Sequence, residues 1–516
     1  MLSALAITIA CAATPPQESP AREVVIRTDS LSDWDGNPKF WRVEDGTLVG
    51  QTTKDNPTKG NTFLVWRGGY VDNFELELEY KIVGGNSGIQ YRSFEPGQKW
   101  VVGGYQADFE AGKRFSGILY GERFRGILAN RGKKTELTRD GKYKSTVVGD
   151  VGDSEEIQSR IKNEDWNTYR IVANGYHFQH FINGVKTCEC TDNDITMRRA
   201  AGVLALQLHA GPPMKVQFRN IKLKRLPAKK KIVFIAGTKS HGYGSHEHKA
   251  GCMLLADALN KSGLPVETTV VTQGWPKDES VLDDADAIVI YCDGGGRHPF
   301  NKHLDRLKQL TARGTGIACI HYGVETVKGA PGKAFMNMTG GYFEPHWSVN
   351  PHWVADYKAL PKHPIANGVK PFAINDEWYY HMRFLDGMPG VTPILTDLPP
   401  ETTLKRRDGA HSGNPHVRKA VANKEAQHMA WARQRPDAGR GFGFTGGHYH
   451  WNWGHNQFRK LVLNAIAWTA HLDVPEGGVK SSPVTLEELK ANQDYEPNDR
   501  FNPERINALL QEWNAE

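Results

Sequence analysis

The feature that most constrains this chain is a change of hydrophobic rhythm near residue 227. From Val24 to about Leu226, apolar and polar residues alternate in short runs. Phe74, Leu76, Leu78, Tyr80 and Ile82 are interleaved with Glu75, Glu77, Glu79 and Lys81. A period of two marks strands with one buried and one wet face. Asn174-Gly175 and Asn183-Gly184 flank the run 176–182 as hairpin signals, and no long helical period intervenes. An all-β, antiparallel sandwich over 22–226 is expected. Beyond Pro227-Ala228-Lys229-Lys230-Lys231 the pattern is different. Residues 232–236, 287–291 and 316–320 are continuous apolar runs, as in strands covered on both faces. Helical patterns at 247–261 and 300–313 separate them, so an α/β domain with a parallel sheet and right-handed crossovers is expected over 229–475. Its last helix is expected at 457–471. Residues 476–516 read as a polar tail with one short helical stretch, 503–513.

Lysine plus arginine number 64 and aspartate plus glutamate 58, a net +6 with no dominant basic block. That excludes a nucleic-acid footprint. The apolar run Met1–Ala13 falls short of the roughly 20 residues a spanning helix needs. Followed by Pro15-Pro16, it reads as part of a leader over 1–21, and export to the periplasm or the exterior is expected, by a cleaved signal or by lipid attachment at Cys11. No other stretch reaches transmembrane length. Six cysteines are sparse for 516 residues, and no CxxC pair occurs. Cys188 and Cys190 share one face of a strand, and Cys252, Cys292 and Cys319 sit in apolar contexts, which reads as buried thiols rather than a disulfide scaffold.

Strand parity shows which side chains of the first half share a face. Gln90 and Arg92 lie opposite Ile89 and Tyr91; Gln106, Asp108 and Glu110 lie opposite Tyr105, Ala107 and Phe109; Gln207 and His209 lie opposite Leu204, Leu206 and Leu208. If these strands are neighbours, one sheet face carries Arg92, Gln106, Asp108, Gln207 and His209. Such a set suits a polyhydroxyl ligand and proton transfer. A solvated outer face would show a similar alternation, though richer in Lys, Glu and Thr.

The segments Asn86-Ser87-Gly88-Ile89, Tyr91-Arg92, Tyr105-Gln106-Ala107-Asp108, Gly117 with Tyr120, Trp166-Asn167, Asn183-Gly184, Leu206-Gln207 with His209, and Phe218-Arg219-Asn220-Ile221 resemble the 3-keto-disaccharide hydrolase family. The resemblance implies a concanavalin-like jelly roll and a small oligosaccharide or 3-keto-glycoside as substrate. A C3 ketone acidifies the C2 proton; a base removes it, the enolate expels the C1 substituent, and water adds to the unsaturated sugar. On this reading Asp108 or His209 is the base, Arg92 and Gln106 hold the enolate or hydroxyls, Tyr120 is a proton donor, and Glu110 and Gln207 bind substrate. Two readings compete with it. Asp108 and Glu110 could form the carboxylate pair of an ordinary glycosidase, or the sandwich could be a lectin-like binding module.

In the second half, His241, Asp293 and His321 each follow an apolar run, at the strand ends where open parallel sheets bind ligands. Ser240-His241-Gly242, Cys292-Asp293-Gly294, Ala318-Cys319-Ile320-His321, Asp376-Glu377-Trp378-Tyr379 and Gly446-Gly447-His448 resemble the trehalose-utilisation (ThuA-like) family. That resemblance implies a flavodoxin-like fold akin to class I glutamine amidotransferases. The amidotransferase elbow carries a cysteine; here His321 stands in its place and Cys319 two residues earlier, so thiol amide hydrolysis is not expected. His241, Asp293, His321, Glu377 and His448 are the candidates for substrate contact. His241, His246, His248, His298, His321, Glu344, His346, His352, Glu377, His381, His448 and His450 also supply enough imidazole and carboxylate for a divalent metal, though no spacing forms a known helical metal motif. A metal-free, hydrogen-bonding histidine pocket is the alternative. Trp347, Trp353, Trp378, Trp451 and Trp453 interleave with these groups, as sugar-stacking or core side chains.

Overall fold

The structure, a computed structural model, describes residues 23–226, 229–437 and 439–515. The leader Met1–Ala13, Cys11 and the boundary dipeptide Pro227-Ala228 lie outside the described residues. Among the described residues no helix is long and apolar enough to cross a membrane.

Two antiparallel-rich sheets form the first half, as the period-two pattern predicts. One is ten-stranded, with the alternating strand Phe74–Val83 at its centre between Asn167–Asn174 and Met214–Arg225. The other is seven-stranded, ordered Gly126–Ala129, Leu119–Glu122, Gly103–Glu110, Asn86–Phe94, Val203–Leu208, Thr62–Trp66, Trp34–Asp35. Leu76, Leu78 and Tyr80 of one sheet and Ile89, Tyr91, Tyr105, Phe109 and Leu206 of the other fill a single core. Each such side chain contributes about 1.5–3 kcal/mol by leaving water. The polar parity of Gly103–Glu110 and Val203–Leu208 is thereby forced onto the outer face of the seven-stranded sheet.

One expected member of that face is missing. The register slips between Tyr91 and Phe94, and Arg92 adopts a left-handed backbone (φ +46°). This bulge turns the guanidinium inward and away from Gln106 and Asp108. Arg92 is 1 % exposed and donates to the carbonyls of Asp72 (2.5 Å), Gly175 (2.6 Å) and Arg199 (3.2 Å) and to Asn73 Oδ1 (3.0 Å). A bulge re-aims a side chain in a way that strict alternation cannot show, so Arg92 braces loops rather than holding an enolate. Gly202 packs against the bulge; a Cβ there would lie 2.2 Å from the Arg92 carbonyl carbon and 2.4 Å from Ser93 N. Gly202→Ala should therefore cost about 3 kcal/mol, read as a lowered urea midpoint with unchanged slope.

The second half is a three-layer α/β domain. Its sheet runs Val266–Val271, Lys230–Ala236, Ala287–Tyr291, Gly316–Ile320, Arg440–Phe444, Gln427–Gln434, Val391–Asp397. The first five strands are parallel; Gln427–Gln434 alone runs against them, and Val391–Asp397 pairs antiparallel to it at the edge, so the sheet is mixed rather than wholly parallel. Helices His248–Lys261, Leu304–Ala312 and Asn456–Thr469 cover it. A separate hairpin, His352–Tyr357 with Phe372–Glu377, carries Glu377 to the carboxyl end of the sheet. The polar tail is anchored. Leu489, Ile506, Leu510 and Trp513 enter the same core as the sheet strands, and the helix Leu486–Lys490 opens with a Thr485–Glu488 capping box.

Buried ionic contacts tie the halves together. Lys230, its side chain 5 % exposed, reaches Asp72 of the sandwich (2.9 Å) and Asp286 of the α/β half (3.1 Å). Arg199 donates to Ala312 O (2.5 Å) and to Asp437 O, and Arg313 to Ile195 O (3.3 Å). Cys188, Cys190, Cys252, Cys292 and Cys319 are all free and buried, and burial pushes each of these thiols above its ordinary range.

Candidate functional site

Two constellations emerge, one in each half. On the outer sheet face of the sandwich, a directional hydrogen-bond chain ends on Asp108. Ser93 Oγ donates to Gln90 Oε1 (2.5 Å), Gln90 Nε2 to Gln106 Oε1 (2.5 Å), and Gln106 Nε2 to Asp108 Oδ1 (2.5 Å). The cross-strand pairing of Gln90 with Gln106 and of Gly88 with Asp108 sets this order. Gly88 is required for close approach, since a Cβ there would meet the Gln106 side chain at 2.6 Å. Asp108 is 6 % exposed. Burial pushes its carboxyl up to about 8 despite the Gln106 hydrogen bond, with Glu122 and Glu110 adding repulsion. A carboxyl poised near neutrality in a sheet-face cluster is equipped for proton transfer.

Around it, Tyr120 pairs with Gln106 across the sheet. Glu122, two residues on and on the same face, accepts from Asn61 Nδ2 (3.3 Å) and Gln207 Nε2 (3.4 Å). Burial raises the Glu122 carboxyl, while Asn61, Arg123 and the nearby His209 oppose the shift. The structure thus brings Gln106, Asp108, Tyr120, Gln207 and His209 into one neighbourhood and adds Gln90 and Glu122. Their strand parity was readable; the register that joins them was not. Arg92 is excluded, as described. Glu110 serves a different end, because its Oε1 accepts the backbone N–H groups of Arg114 (2.5 Å) and Phe115 (2.9 Å) and so holds the following turn. Its Oε1 braces that loop.

In the α/β half, the side chains gather beyond the carboxyl ends of the parallel strands. His321 directly follows Gly316–Ile320 and sits at the elbow with φ +53°; His246 lies in the loop before helix His248–Lys261 with φ +52°. Non-glycine residues in this region cost of order 1–3 kcal/mol and persist where surroundings fix them. His246 Nε2 lies 3.1 Å from His321 Nε2 and 3.0 Å from His448 Nδ1, and Glu377 Oε2 lies 3.1 Å from His448 Nδ1 and 3.5 Å from His321 Nε2. Asp293 Oδ1 accepts from His246 Nδ1 at 3.0 Å, and Thr445 O from His321 Nδ1 at 2.8 Å. Tyr379 Oη donates to Glu377 Oε2 at 3.3 Å. His241 stacks on His246 with ring centroids 3.5 Å apart.

Every candidate of this half is therefore in one place: His321, Glu377 and His448 at the centre, Asp293 behind His246, and His241 above it. His246 was one of twelve candidates without a distinguishing spacing, and Tyr379 carried no signal beyond its adjacency to Glu377. His298 and Glu344 stand apart, bonded to Gly323 O and Arg383 respectively, whereas His248, with Nδ1 on Thr238 O, brings its Nε2 within 3.6 Å of Asp293 Oδ1. Cys319 is buried in its strand, so no thiol occupies the elbow.

Residues 27–224 match the family described as the 3-keto-alpha-glucoside-1,2-lyase-like domain, and residues 231–469 match the family described as trehalose utilisation, ThuA. The two matches lie in tandem along the chain. Both descriptions concern carbohydrate metabolism. No curated protein matches the chain. Solved structures resemble its halves singly. A provisionally named glycosyl hydrolase from Parabacteroides distasonis ATCC 8503 is 19% identical over 40% of this chain and 100% of its own, with a TM-score of 0.25. The carbohydrate-binding module CBM66 from Bacillus subtilis is 13% identical over 37% and 94%, with a TM-score of 0.24. A ThuA-like protein from Parabacteroides merdae ATCC 43184 is 11% identical over 52% and 100%, with a TM-score of 0.34.

Proposed function

We propose that the lyase-like half cleaves glycosides whose sugar is already oxidised at C3. The observation that carries this reading is Asp108, a buried carboxyl aimed by three consecutive hydrogen bonds and held near neutrality. The C2 hydrogen beside a ketone is acidic enough for a carboxylate of that basicity. Asp108 takes the C2 proton, and the electron pair moves to the C3 oxygen as an enolate. Gln207 lies on the same face as a donor toward that oxygen, while the His209 Nδ1–H is directed to the Ala210 carbonyl at 2.5 Å. Collapse of the enolate forms the C1–C2 double bond and breaks the bond from C1 to the glycosidic oxygen. The departing oxygen takes a proton from Tyr120 or from Glu122, whose carboxyl burial raises above its ordinary range. Water then adds across C1–C2, its oxygen to C1 and a proton to C2, and a free 3-keto sugar results.

Incubation of the full chain with a 3-keto-glucoside in D2O tests this directly. Deuterium at C2 of the product and slower turnover of C2-deuterated substrate are expected. Equal hydrolysis of the unoxidised glucoside, with no deuterium at C2, would instead indicate a conventional two-carboxylate glycosidase.

A further inference from the structure

The ThuA half presents an arrangement that hydrogen bonding alone does not explain. His246 commits its Nδ1–H to the Asp293 carboxylate, and His321 commits its Nδ1–H to the Thr445 carbonyl. Both partners only accept, so each neutral ring keeps its proton on Nδ1 and turns a lone pair inward at Nε2. Those two lone pairs point at each other across 3.1 Å. The carboxylate oxygen of Glu377 faces the same space. Among the described residues two proton donors face these three acceptors, Tyr379 Oη at 3.3 Å from His321 Nε2 and His448 Nδ1 at 3.0 Å from His246 Nε2; with one proton each they leave an acceptor unsatisfied, and a cation among the lone pairs would relieve that repulsion.

The spacing fits a metal ion. Ligand atoms about 2.1 Å from a tetrahedral ion stand about 3.4 Å from one another. Four of the six separations among His246 Nε2, His321 Nε2, His448 Nδ1 and Glu377 Oε2 are 3.0, 3.1, 3.1 and 3.5 Å, and all four atoms lie within 4.8 Å of one another. An outer shell is in place as well. Asp293 and Thr445 orient two of the imidazoles, and Asn350 Nδ2 donates to the other Glu377 oxygen at 3.1 Å. Such partners fix the tautomer and orientation of metal-bound histidine and carboxylate.

We propose that His246, His321, His448 and Glu377 bind one transition-metal dication of the zinc class, through three nitrogens and one oxygen. The imidazole-rich set selects against magnesium and calcium, which take oxygen ligands. Access is one-sided: His246 and His321 are sealed, while the His448 and Glu377 side chains are 12 % and 11 % exposed. His241 and His352, both exposed, flank that opening, where an oxygen of a sugar could approach. This inference is independent of the reaction assigned to the sandwich half.

The full chain, stripped with chelator and re-equilibrated with zinc, should retain about one ion per chain after gel filtration, measured by elemental analysis. Cobalt in place of zinc should give the intense visible absorption of a tetrahedral site. Glu377→Gln keeps the side-chain shape and should weaken zinc at least about 100-fold; Asp293→Asn, which touches no metal, should weaken it about 10–100-fold. Thermal unfolding of both variants without metal should match that of the stripped wild type, which separates lost ligation from lost folding. The rival arrangement is a proton-sharing histidine network without metal. Substoichiometric zinc in the wild type, or equal zinc affinity in Glu377→Gln and a second variant, His448→Ala, would overturn the proposal.

Discussion

Asp108→Asn is expected to abolish cleavage of 3-keto-glucosides, by about 10³-fold or more in kcat, while leaving the protein more stable than wild type at alkaline pH. The two effects share one cause. An ordinary aspartate titrates near about 3.9, whereas burial moves Asp108 to about 8. Between those values the folded chain holds a proton that the unfolded chain has released. Stability therefore falls as pH rises through that window, and the penalty is complete above about 8. Asparagine cannot ionise and escapes it, so at about pH 9 the variant should gain on the order of 3 kcal/mol. At about pH 4 the two proteins should be nearly equal. Glu122, Glu110 and Tyr120 face the same carboxyl, and the two carboxylates add to its shift. As a base Asp108 must be deprotonated, so kcat/KM should climb with pH toward about 8. Urea titrations at the two pH values, together with the rate profile, check both halves of the prediction. Retained activity, or no gain at high pH, would remove Asp108 from the mechanism.

A second large effect is expected at the junction. Lys230→Met leaves Asp72 and Asp286 facing one another without their shared cation. Removing one partner of a buried ionic contact costs about 3–5 kcal/mol, because the remaining charge is stranded. The pH signature has the opposite sign to that of Asp108. Burial alone would raise Asp72, but Lys230, Arg225 and Arg92 override it and hold the carboxyl at about 2. That stabilisation is present above about 3.9 and is lost as pH falls through about 2. In the variant, Asp72 protonates more readily, so its deficit should shrink as the solution is acidified toward about pH 4. Calorimetry should also show a single transition splitting into two as the halves uncouple. One unsplit transition at an unchanged temperature would show that Arg199 and Arg313 suffice to couple them.

Much of this architecture was legible in the amino-acid order. The alternation in Phe74–Val83 and the unbroken runs at 232–236, 287–291 and 316–320 are direct imprints of one-sided and two-sided burial, and they separated the sandwich from the α/β layer. The reversed strand Gln427–Gln434 and the edge strand Val391–Asp397 beside it were not foreseen, since a strand's direction leaves no periodic trace. Among site residues, Gln106, Asp108 and Gln207 were legible because parity is local. Arg92 was misread because a single bulge inverts parity without changing composition. Glu122 became visible only through cross-strand register, and His246 stood out from the other histidines only through its loop path; their contacts lie from 47 to 202 residues away along the chain. Glu110 shares Asp108's parity, but a turn of its own captures it, a competition between local backbone amides and a distant ligand that spacing cannot express.

The buried thiols have a use of their own. Each half carries its own cysteines, Cys188 and Cys190 in the sandwich and Cys252, Cys292 and Cys319 in the α/β layer. Because burial both hides them and suppresses their thiolate forms, an alkylating reagent can reach them only through opening of the surrounding core. Peptide-resolved alkylation under reducing conditions thus turns these five positions into two internal clocks, one timing the opening of each half.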